Sequence, residues 1–211
     1  MNLVAILSPS NLLTNTTINW VKRCEWSTSK AIYIDYHDNE WGRPVHDDHT
    51  LFEAVILDTF QAGLSWIIIL QKRENFRLAF DNFEAKKVAA YDEKKIRKLC
   101  MDKGIVRNQL KIRAAVTNAQ VFLELQREFG SFDKYIWQFT NYKTIQNECR
   151  NISDIPTSSV ESDAMSKDLK GRGFKFVGTT ICYAFMQAIG MVNDHVTGCH
   201  VYEEVRTLKQ P

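Results

Sequence analysis

Two cysteines and two histidines near opposite ends of the chain are of the types that bind zinc. Cys24 precedes His37 near the start, and three residues separate His195 from Cys199 near the end. If residues 195–199 are helical, His195 and Cys199 share one helix face and could bind one ion together. All four side chains would complete a tetrahedral site. The spacing is equally compatible with free thiols and with histidines at polar surfaces.

Large aromatic side chains are concentrated in the first third of the chain, in the same region as the carboxylate Asp58. Aromatic faces can stack on a flat base and attract a cationic ring. A single aromatic residue more often only fills a core, so the set is informative while its members are not. The set consists of Trp26, Tyr33, Tyr36, Trp41 and Trp66.

Asp58 itself lies in an apolar stretch, residues 55–60, where a carboxylate without partners is costly to bury. In a functional role it could accept hydrogen bonds from an exocyclic amine or stabilise positive charge. In a structural role it could cap a helix, pair with a nearby cation or point to water.

A local basic patch surrounds a glycine-bounded segment, residues 173–178. The patch contains Lys167, Lys170, Arg172 and Lys175, against a single Asp168. With backbone N–H groups at the segment and at the start of the next helix, it could hold phosphates without reading sequence. An ordinary solvated helix face would have the same charge count.

The amino-acid composition excludes several classes of protein. The chain has 211 residues, 45% hydrophobic and 25% charged, with a formal net charge of +2, which is typical of one soluble globular domain and excludes a mostly disordered chain. The apolar runs of the sequence, residues 66–70 among them, are too short to span a membrane, and the N-terminus lacks the basic region of a signal peptide. Five cysteines argue against a secreted disulfide scaffold, so we expect a cytoplasmic protein. The common nucleotide, esterase and metalloprotease motifs are absent from the sequence.

The elements that must position these residues are mainly helical, because apolar residues recur at three- and four-residue spacing. A capping-box pattern at Thr50 and Glu53 predicts a helix over residues 50–61, ended by Gly63, and Ser65 begins a second helix that runs to residue 80. The other predicted helices cover residues 85–90, 93–101, 109–129, 132–139, 162–171 and 179–189. A short hairpin, 173–178, separates the last two, and residues 141–159 form a connecting loop.

Six motifs between Arg23 and Cys199 occur in a distinctive order. They are Arg23-Cys24-Glu25-Trp26, Tyr36-His37-Asp38-Asn39-Glu40-Trp41-Gly42, Gln61-Ala62-Gly63-Leu64-Ser65-Trp66, Lys72-Arg73-Glu74-Asn75, Gly173-Phe174-Lys175-Phe176-Val177-Gly178-Thr179-Thr180 and Asn193-Asp194-His195-Val196. This pattern resembles the bacterial 3-methyladenine DNA glycosylase I family. The resemblance implies an all-α, helix-hairpin-helix DNA glycosylase-like bundle, with a zinc site joining its N- and C-terminal segments. It also implies hydrolytic removal of 3-methyladenine from alkylated DNA, leaving an abasic site.

The resemblance assigns roles residue by residue. The structural ligands of one Zn²⁺ would be Cys24, His37, His195 and Cys199. The residues that hydrogen-bond the edge of the base would be Asp58 and Tyr36. Trp66 would stack on the flipped base, and the rest of the aromatic wall would be Trp26, Tyr33 and Trp41. The DNA contacts would be Gly63 and Leu64 in the minor groove and Lys170, Arg172, Gly173, Lys175 and Gly178 at the backbone phosphates.

The implied partners are alkylated double-stranded DNA and, as product, free 3-methyladenine; we expect a monomer that binds no membrane. The predicted glycosylase domain covers residues 23–205. It is preceded by an extension, residues 1–22, that the family pattern does not include and that could be disordered, and it is followed by a tail, residues 206–211.

One departure from the family pattern concerns Asp58, because the family usually has Glu at the base-recognition position. The shorter side chain could reach the base through a water molecule or through a shift of its helix. The alternative function is therefore a zinc-stabilised, catalytically impaired module that binds damaged DNA or a free alkylated purine. A small-molecule hydrolase without affinity for duplex DNA is a third hypothesis. Asp194 resembles the catalytic Asp of relatives with this hairpin, but it could equally support the neighbouring His195.

Overall fold

The computed structural model describes residues 21–208, which form ten α-helices and one short pair of parallel strands. Most of the predicted extension and the end of the predicted tail lie outside the described residues. The helices are α1 (Ala31–Asn39), α2 (Asp48–Gln61), α3 (Trp66–Ala79), α4 (Ala85–Ala89), α5 (Glu93–Met101), α6 (Gln109–Phe129), α7 (Phe132–Trp137), α8 (Val160–Gly171), α9 (Thr179–Ala188) and α10 (His200–Thr207). The strands are β1 (Ile145–Gln146) and β2 (Val192–Asn193). The expectation of a mainly helical chain is confirmed.

The longest helix, α6, passes through the main core and packs against α2, α4, α5 and α7. Asn108 caps its N-terminus, where the side-chain oxygen accepts a hydrogen bond from the N–H of Lys111. It ends at Gly130, whose φ of +86° is a left-handed conformation that favours glycine. Its buried face includes Ile112, Ala115 and Phe122, so α6 is a rigid support for its neighbours.

Helix α2 carries Asp58 and is buried along most of its length. It begins two residues before the predicted start, because the N-cap is Asp47, whose carboxylate accepts from the N–H of Thr50 at 2.8 Å. The predicted capping box is wrong: Glu53 instead binds the Arg77 guanidinium on α3 at 2.7 Å. This ion pair joins the two helices on either side of the loop at residues 62–65.

Several boundaries differ from the sequence prediction. Helix α1 was not predicted, and the helix predicted over 132–139 ends at Trp137, followed by a 3-10 turn, Gln138–Thr140. Helix α8 begins at Val160, two residues early, because Ser159 caps it in a capping box with Ser162. Helix α10 continues to Thr207 and so enters the predicted tail.

The strand pair joins two distant segments of the chain. Ile145 pairs with Val192 and Gln146 with Asn193, so the middle of the predicted connecting loop is held beside the segment that carries His195. A second, smaller core forms where the two ends of the described chain meet, and it includes Tyr36, Trp41 and Val201. Among the described residues, no helix has the length and apolar character needed to cross a membrane.

Candidate metal site and base-binding cavity

The four predicted zinc ligands lie together in the smaller core, and all four are buried. His37 lies near the end of α1, and Cys199 is the N-cap of α10. The Sγ of Cys199 lies 3.5 Å from His37 Nε2 and 3.7 Å from His195 Nδ1, and the Sγ of Cys24 lies 3.7 Å from the same Nδ1. With Zn–S near 2.3 Å and Zn–N near 2.0 Å, a tetrahedral ion separates sulfur and nitrogen ligands by about 3.5 Å. The donor set therefore fits zinc.

Residues 195–199 are not helical, so the condition for a shared helix face is not met. They form a turn between β2 and α10, and the N–H of Cys199 donates to the carbonyl of Val196 at 2.7 Å. The turn, rather than a shared helix face, places His195 and Cys199 within reach of one ion.

The second nitrogen of each imidazole is engaged away from the cluster. His37 Nδ1 lies 2.7 Å from the Asp38 carboxylate, and His195 Nε2 lies 3.0 Å from the Trp41 carbonyl. Because both acceptors require an N–H, the imidazole tautomers leave His37 Nε2 and His195 Nδ1 with lone pairs that face the thiols. Hydrogen bonding from Cys24 outweighs the opposing effect of burial, lowers the pKa of Cys199 and so favours a thiolate.

Asp38 is held in turn by two further groups. Its carboxylate accepts two hydrogen bonds from Arg23 Nε and one from Arg23 Nη2 at 2.8 Å, and it lies 3.2 Å from His200 Nε2. Burial opposes ionisation of Asp38, but the hydrogen bonds from Arg23, His37 and His200 keep its pKa below the usual range. The cluster therefore has a complete set of supporting partners.

A cavity of about 370 Å³ lies next to this cluster. The structure brings all five aromatic side chains of the predicted set and Asp58 to its wall. Trp26 packs edge-to-face on Tyr33 and Trp41, with ring centroids 5.5 and 4.9 Å apart, and the Tyr36 ring lies 5.4 Å from that of Trp66. The smaller core thus supports both the cluster and the cavity.

Asp58 is the unusual polar group of this cavity. Its side chain is 2% exposed, and Oδ2 has no hydrogen-bond partner among the described residues. The same is true of the indole Nε1 of Trp66. Burial raises the pKa of Asp58 well above its ordinary value, and burial, followed by the charge of Asp58, raises that of Tyr36. A ligand that offers a donor to Asp58 and an acceptor to Trp66 would satisfy both groups.

A smaller cavity of about 210 Å³ shares Tyr36, Asp58 and Trp66 with the first. Ion pairs line its other side, among them Arg73 with both carboxylate oxygens of Glu40, at 2.5 and 2.8 Å. This pair gives Arg73 of the Lys72-Arg73-Glu74-Asn75 motif a structural role, since it joins α3 to the end of α1.

The opposite wall of the larger cavity was not predicted. It comes from α9, which contributes Tyr183 and Gln187, and from residues 152–157 of the supposed connecting loop. Ile152 and Ile155 were the only apolar residues of this segment to point to the wall, and single apolar residues in a polar loop are too common to identify it.

Asp194 does not line the cavity but holds residues that do. Its carboxylate accepts from Asn147 at 2.7 Å, from Tyr183 at 2.9 Å and from Gln187 at 2.7 Å. None of these hydrogen bonds reaches His195, so the carboxylate supports the cavity wall, and both hypothesised roles of Asp194 stay untested.

The predicted DNA-contacting residues lie in a loop between α2 and α3 and in the chain from the end of α8 through the hairpin. The probe loop, residues 62–65, has Gly63 at φ +76° and an exposed Leu64. In the hairpin, residues 173–178, Lys175 is exposed, as is Lys170 just before it. Arg172 differs, because its guanidinium already binds Glu128 at 2.7 Å and Asp168 at 2.8 Å.

The backbone N–H groups of the hairpin are only partly available. Those of Gly173 and Phe174 donate to the carbonyls of Lys170 and Leu169, both at 3.0 Å. The N–H of Cys182 makes the first α9 bond, to Gly178, so the preceding N–H groups at residues 179–181 begin the helix without intrahelical partners. The α9 N-terminus, rather than Gly173, thus offers the stronger anion site.

The fold is that of a class of DNA base-excision enzymes, as comparisons with known proteins indicate. The methyladenine glycosylase family matches residues 26–202, and the chain belongs to this family. DNA-3-methyladenine glycosylase 1 of Escherichia coli (strain K12) is 50% identical over 182 residues, which are 86% of this chain and 97% of that protein.

Two solved structures are similar over nearly their whole length. A crystal structure of 3-methyladenine DNA glycosylase I has a TM-score of 0.83 at 47% identity and covers 85% of this chain and 98% of that one. A variant of such an enzyme in complex with 3-methyladenine has a TM-score of 0.84 at 34% identity and covers 90% of this chain and 99% of that one.

Proposed function

We propose that this protein is a DNA repair glycosylase that excises 3-methyladenine from alkylated DNA and leaves an abasic site. Family membership supports the reaction class, and the relatives named above support the substrate. The observation that carries the proposal is the unpartnered Asp58 Oδ2 in an aromatic cavity, beside the unpartnered Nε1 of Trp66. A flat, cationic base with N–H donors is the ligand that this arrangement favours.

The reaction requires little acid catalysis, because methylation at N3 makes adenine a cationic leaving group. Extruding the nucleotide into the cavity costs a few kcal/mol, less for a damaged base. The N9–C1′ bond then breaks with its electron pair on the base, which leaves as neutral 3-methyladenine. The oxygen of a water molecule bonds to C1′ and a proton is released, so the sugar passes through an oxocarbenium-like state.

Within this reaction, Trp66 stacks on the base while Asp58 and Tyr36 hydrogen-bond its edge. An ionised Asp58 also stabilises the nearby positive charge of the substrate cation and of the developing sugar cation. Trp26, Tyr33 and Trp41 complete the wall that selects a flat ring. Asp58 carries out its role with a side chain one methylene shorter than the usual Glu, through a bridging water or a closer approach of the base.

Zn²⁺ is the proposed structural ion of Cys24, His37, His195 and Cys199. When bound, it supplies a cross-link between the two ends of the domain. The matching sulfur–nitrogen distances and the burial of all four side chains support this assignment. Metal analysis of the purified protein tests it directly, because one zinc per chain is expected.

The proposed substrate is duplex DNA, contacted by the probe loop in the minor groove and, at the phosphates, by a helix-hairpin-helix formed from α8, the hairpin and α9. Exposed Lys170 and Lys175 and the N-terminus of α9 support the phosphate contacts. A cytoplasmic monomer is part of the proposal, and the five free cysteines are consistent with a reducing compartment.

The test is release of 3-methyladenine from methylated duplex DNA by the wild type, Trp66→Ala and Asp58→Asn. We expect release by the wild type and strongly reduced release by both variants. The second candidate function, a catalytically impaired binding module, is favoured only by the short Asp58 side chain. Tight binding of lesion-containing duplex without base release would establish that function, and absence of duplex binding would favour a small-molecule hydrolase.

A further inference from the structure

A buried lysine forms hydrogen bonds with the backbone where α2 ends and the probe loop begins. Lys111, in the first turn of α6, is 5% exposed, and its Nζ donates to the carbonyl of Phe60 at 2.8 Å and to that of Ala62 at 2.5 Å. The intervening carbonyl, of Gln61, accepts from the N–H of Leu64 at 2.6 Å. Three successive carbonyls at the end of α2 therefore have partners, and the chain turns directly into the loop.

This ammonium has no carboxylate partner among the described residues, and its bonding at Nζ is to backbone oxygens alone. Burying a cation without a counter-ion is unfavourable, and burial lowers the pKa of Lys111. The negative end of the α2 dipole compensates only in part. A residue kept under these conditions at the base of an exposed loop indicates a requirement for one loop geometry.

A second polar residue of α6 supports the hairpin. Asn118 is fully buried, and its side chain holds both backbone groups of Lys175: Oδ1 accepts from the N–H at 2.8 Å, and Nδ2 donates to the carbonyl at 3.1 Å. Nδ2 also lies 3.4 Å from the Thr59 hydroxyl on α2. Asn118 therefore contacts the hairpin and the helix that ends in the probe loop.

Lys111 and Asn118 are seven residues apart, which on a helix is two turns and the same face. That face is directed to the last turn of α2, because Lys111 binds Phe60 and Ala62 while Asn118 reaches Thr59. The two segments predicted to contact DNA are thus attached to one rigid helix about 10 Å apart along its axis.

We propose that Lys111 and Asn118 are positioning residues, which fix the probe loop and the hairpin relative to each other so that both can engage one duplex. The inference rests on the proposed function, since it takes both segments as DNA contacts. It places specificity for duplex DNA in α6, whereas recognition of the base remains in the aromatic cavity, which neither residue lines.

The test compares Lys111→Met and Asn118→Leu, which keep roughly the length and branching of each side chain and remove the hydrogen bonds, with Arg113→Met. The control residue also lies on α6, but it is exposed and pairs with Glu93 at the surface. For both test variants we expect kcat/KM on methylated duplex to fall by about 10- to 100-fold, since small misplacement of contacting groups has effects of that size. Affinity for free 3-methyladenine should stay at the wild-type value, and the control should retain both.

Amide hydrogen exchange provides a readout that is independent of catalysis. Exchange at Leu64 should accelerate in Lys111→Met and exchange at Lys175 in Asn118→Leu, while the core amides of α6 remain protected. Wild-type kcat/KM in both variants would overturn the inference and leave the proposed function intact. Loss of free-base binding together with duplex activity would also overturn it, because the effect would then be general. If the wild type releases no 3-methyladenine, the proposed function fails, and the exchange data alone decide whether the two residues fix the segments.

Discussion

The metal cluster and the base-binding cavity share one small core but differ in whether their buried polar groups have hydrogen-bond partners. In the cluster, both imidazoles have acceptors on their outer nitrogens, and Asp38 is held by Arg23 and His200. In the cavity, Asp58 and Trp66 each keep a buried polar atom without a partner. Buried polar groups that have all their hydrogen-bond partners stabilise a fold. Buried polar groups without partners lower its stability but can bind a ligand. The difference predicts which residues serve stability and which serve recognition.

The largest effect, a loss of stability, is expected from removing a ligand of the metal cluster. Cys199→Ala removes one ligand and one end of the cross-link, and should destabilise the fold by at least ~3 kcal/mol. For a chain of this size that corresponds to a fall in Tm of roughly 6–12 °C, measurable by calorimetry. Cys100→Ala, outside the cluster, is the matched control and should leave Tm nearly unchanged. A chelator that strips all bound metal without lowering Tm would refute the structural role of zinc.

Substitution of Asp58 in the cavity should have the opposite effect: it should reduce excision without reducing stability. Asp58→Asn removes the acceptor charge, and excision should fall by about 10²- to 10³-fold, the usual effect of deleting one electrostatic contact to a transition state. Stability should be equal to or higher than that of the wild type, because a buried carboxyl without a full set of partners is lost. Glu124→Gln, an exposed carboxylate on α6, serves as control. If Asp58→Asn had lower stability and full activity, Asp58 would serve stability rather than recognition, contrary to this prediction.

The raised pKa of Asp58 gives the comparison a pH dependence. The folded protein retains a proton that the unfolded chain releases above about pH 3.8, the ordinary value. Stability relative to Asp58→Asn should therefore decline as pH rises from that value toward the raised pKa, by up to about 1.4 kcal/mol per unit, and then level off. Excision should rise over the same range, as Asp58 ionises. Denaturant titrations and rate measurements across pH test both trends, and parallel curves for wild type and variant would exclude them.

The smallest effects are expected at the DNA-contacting surface. Lys175→Gln removes an exposed charge and should reduce the salt dependence of duplex binding by about one unit of slope. Arg172→Gln breaks bonds to Glu128 and Asp168, so it should lower stability by roughly 0.5–1 kcal/mol and leave the slope unchanged. Equal slopes for the two variants would show that the structural distinction between these cations has no bearing on DNA binding.

Much of the fold could be predicted from local pattern. Helices α5 and α6 have the predicted bounds, since caps at Asp92 and Asn108 coincide with clear apolar periodicity. Helix α1 was missed because its buried residues, Tyr36 and His37, serve the cavity and the cluster, so its sequence lacks an ordinary amphipathic pattern. Propensity also could not show that Glu53 pairs with Arg77 across a loop, since the interaction is tertiary.

The sequence predicted those residues of the candidate site whose side-chain chemistry is distinctive. Four zinc-binding side chains and a group of aromatics can be identified from their chemistry, and the family resemblance assigned their roles. The cavity wall at residues 152–157 could not be identified, because β1 and β2 bring it into place through pairing over a long sequence separation. The burial of Asp58 without a partner is likewise a property of packing, not of its neighbours in sequence.

The junction of Cys24 with His195 closes 171 residues of chain into a single loop. During synthesis from the N-terminus, at roughly 5–20 residues per second, this closure is among the last events of folding. Trp26 and Tyr36 are translated early but receive their final support only when the segment around His195 emerges from the ribosome. A nascent chain can therefore hold a folded helical core while its base-binding cavity is still incomplete, because that cavity depends on contacts between segments far apart in the sequence.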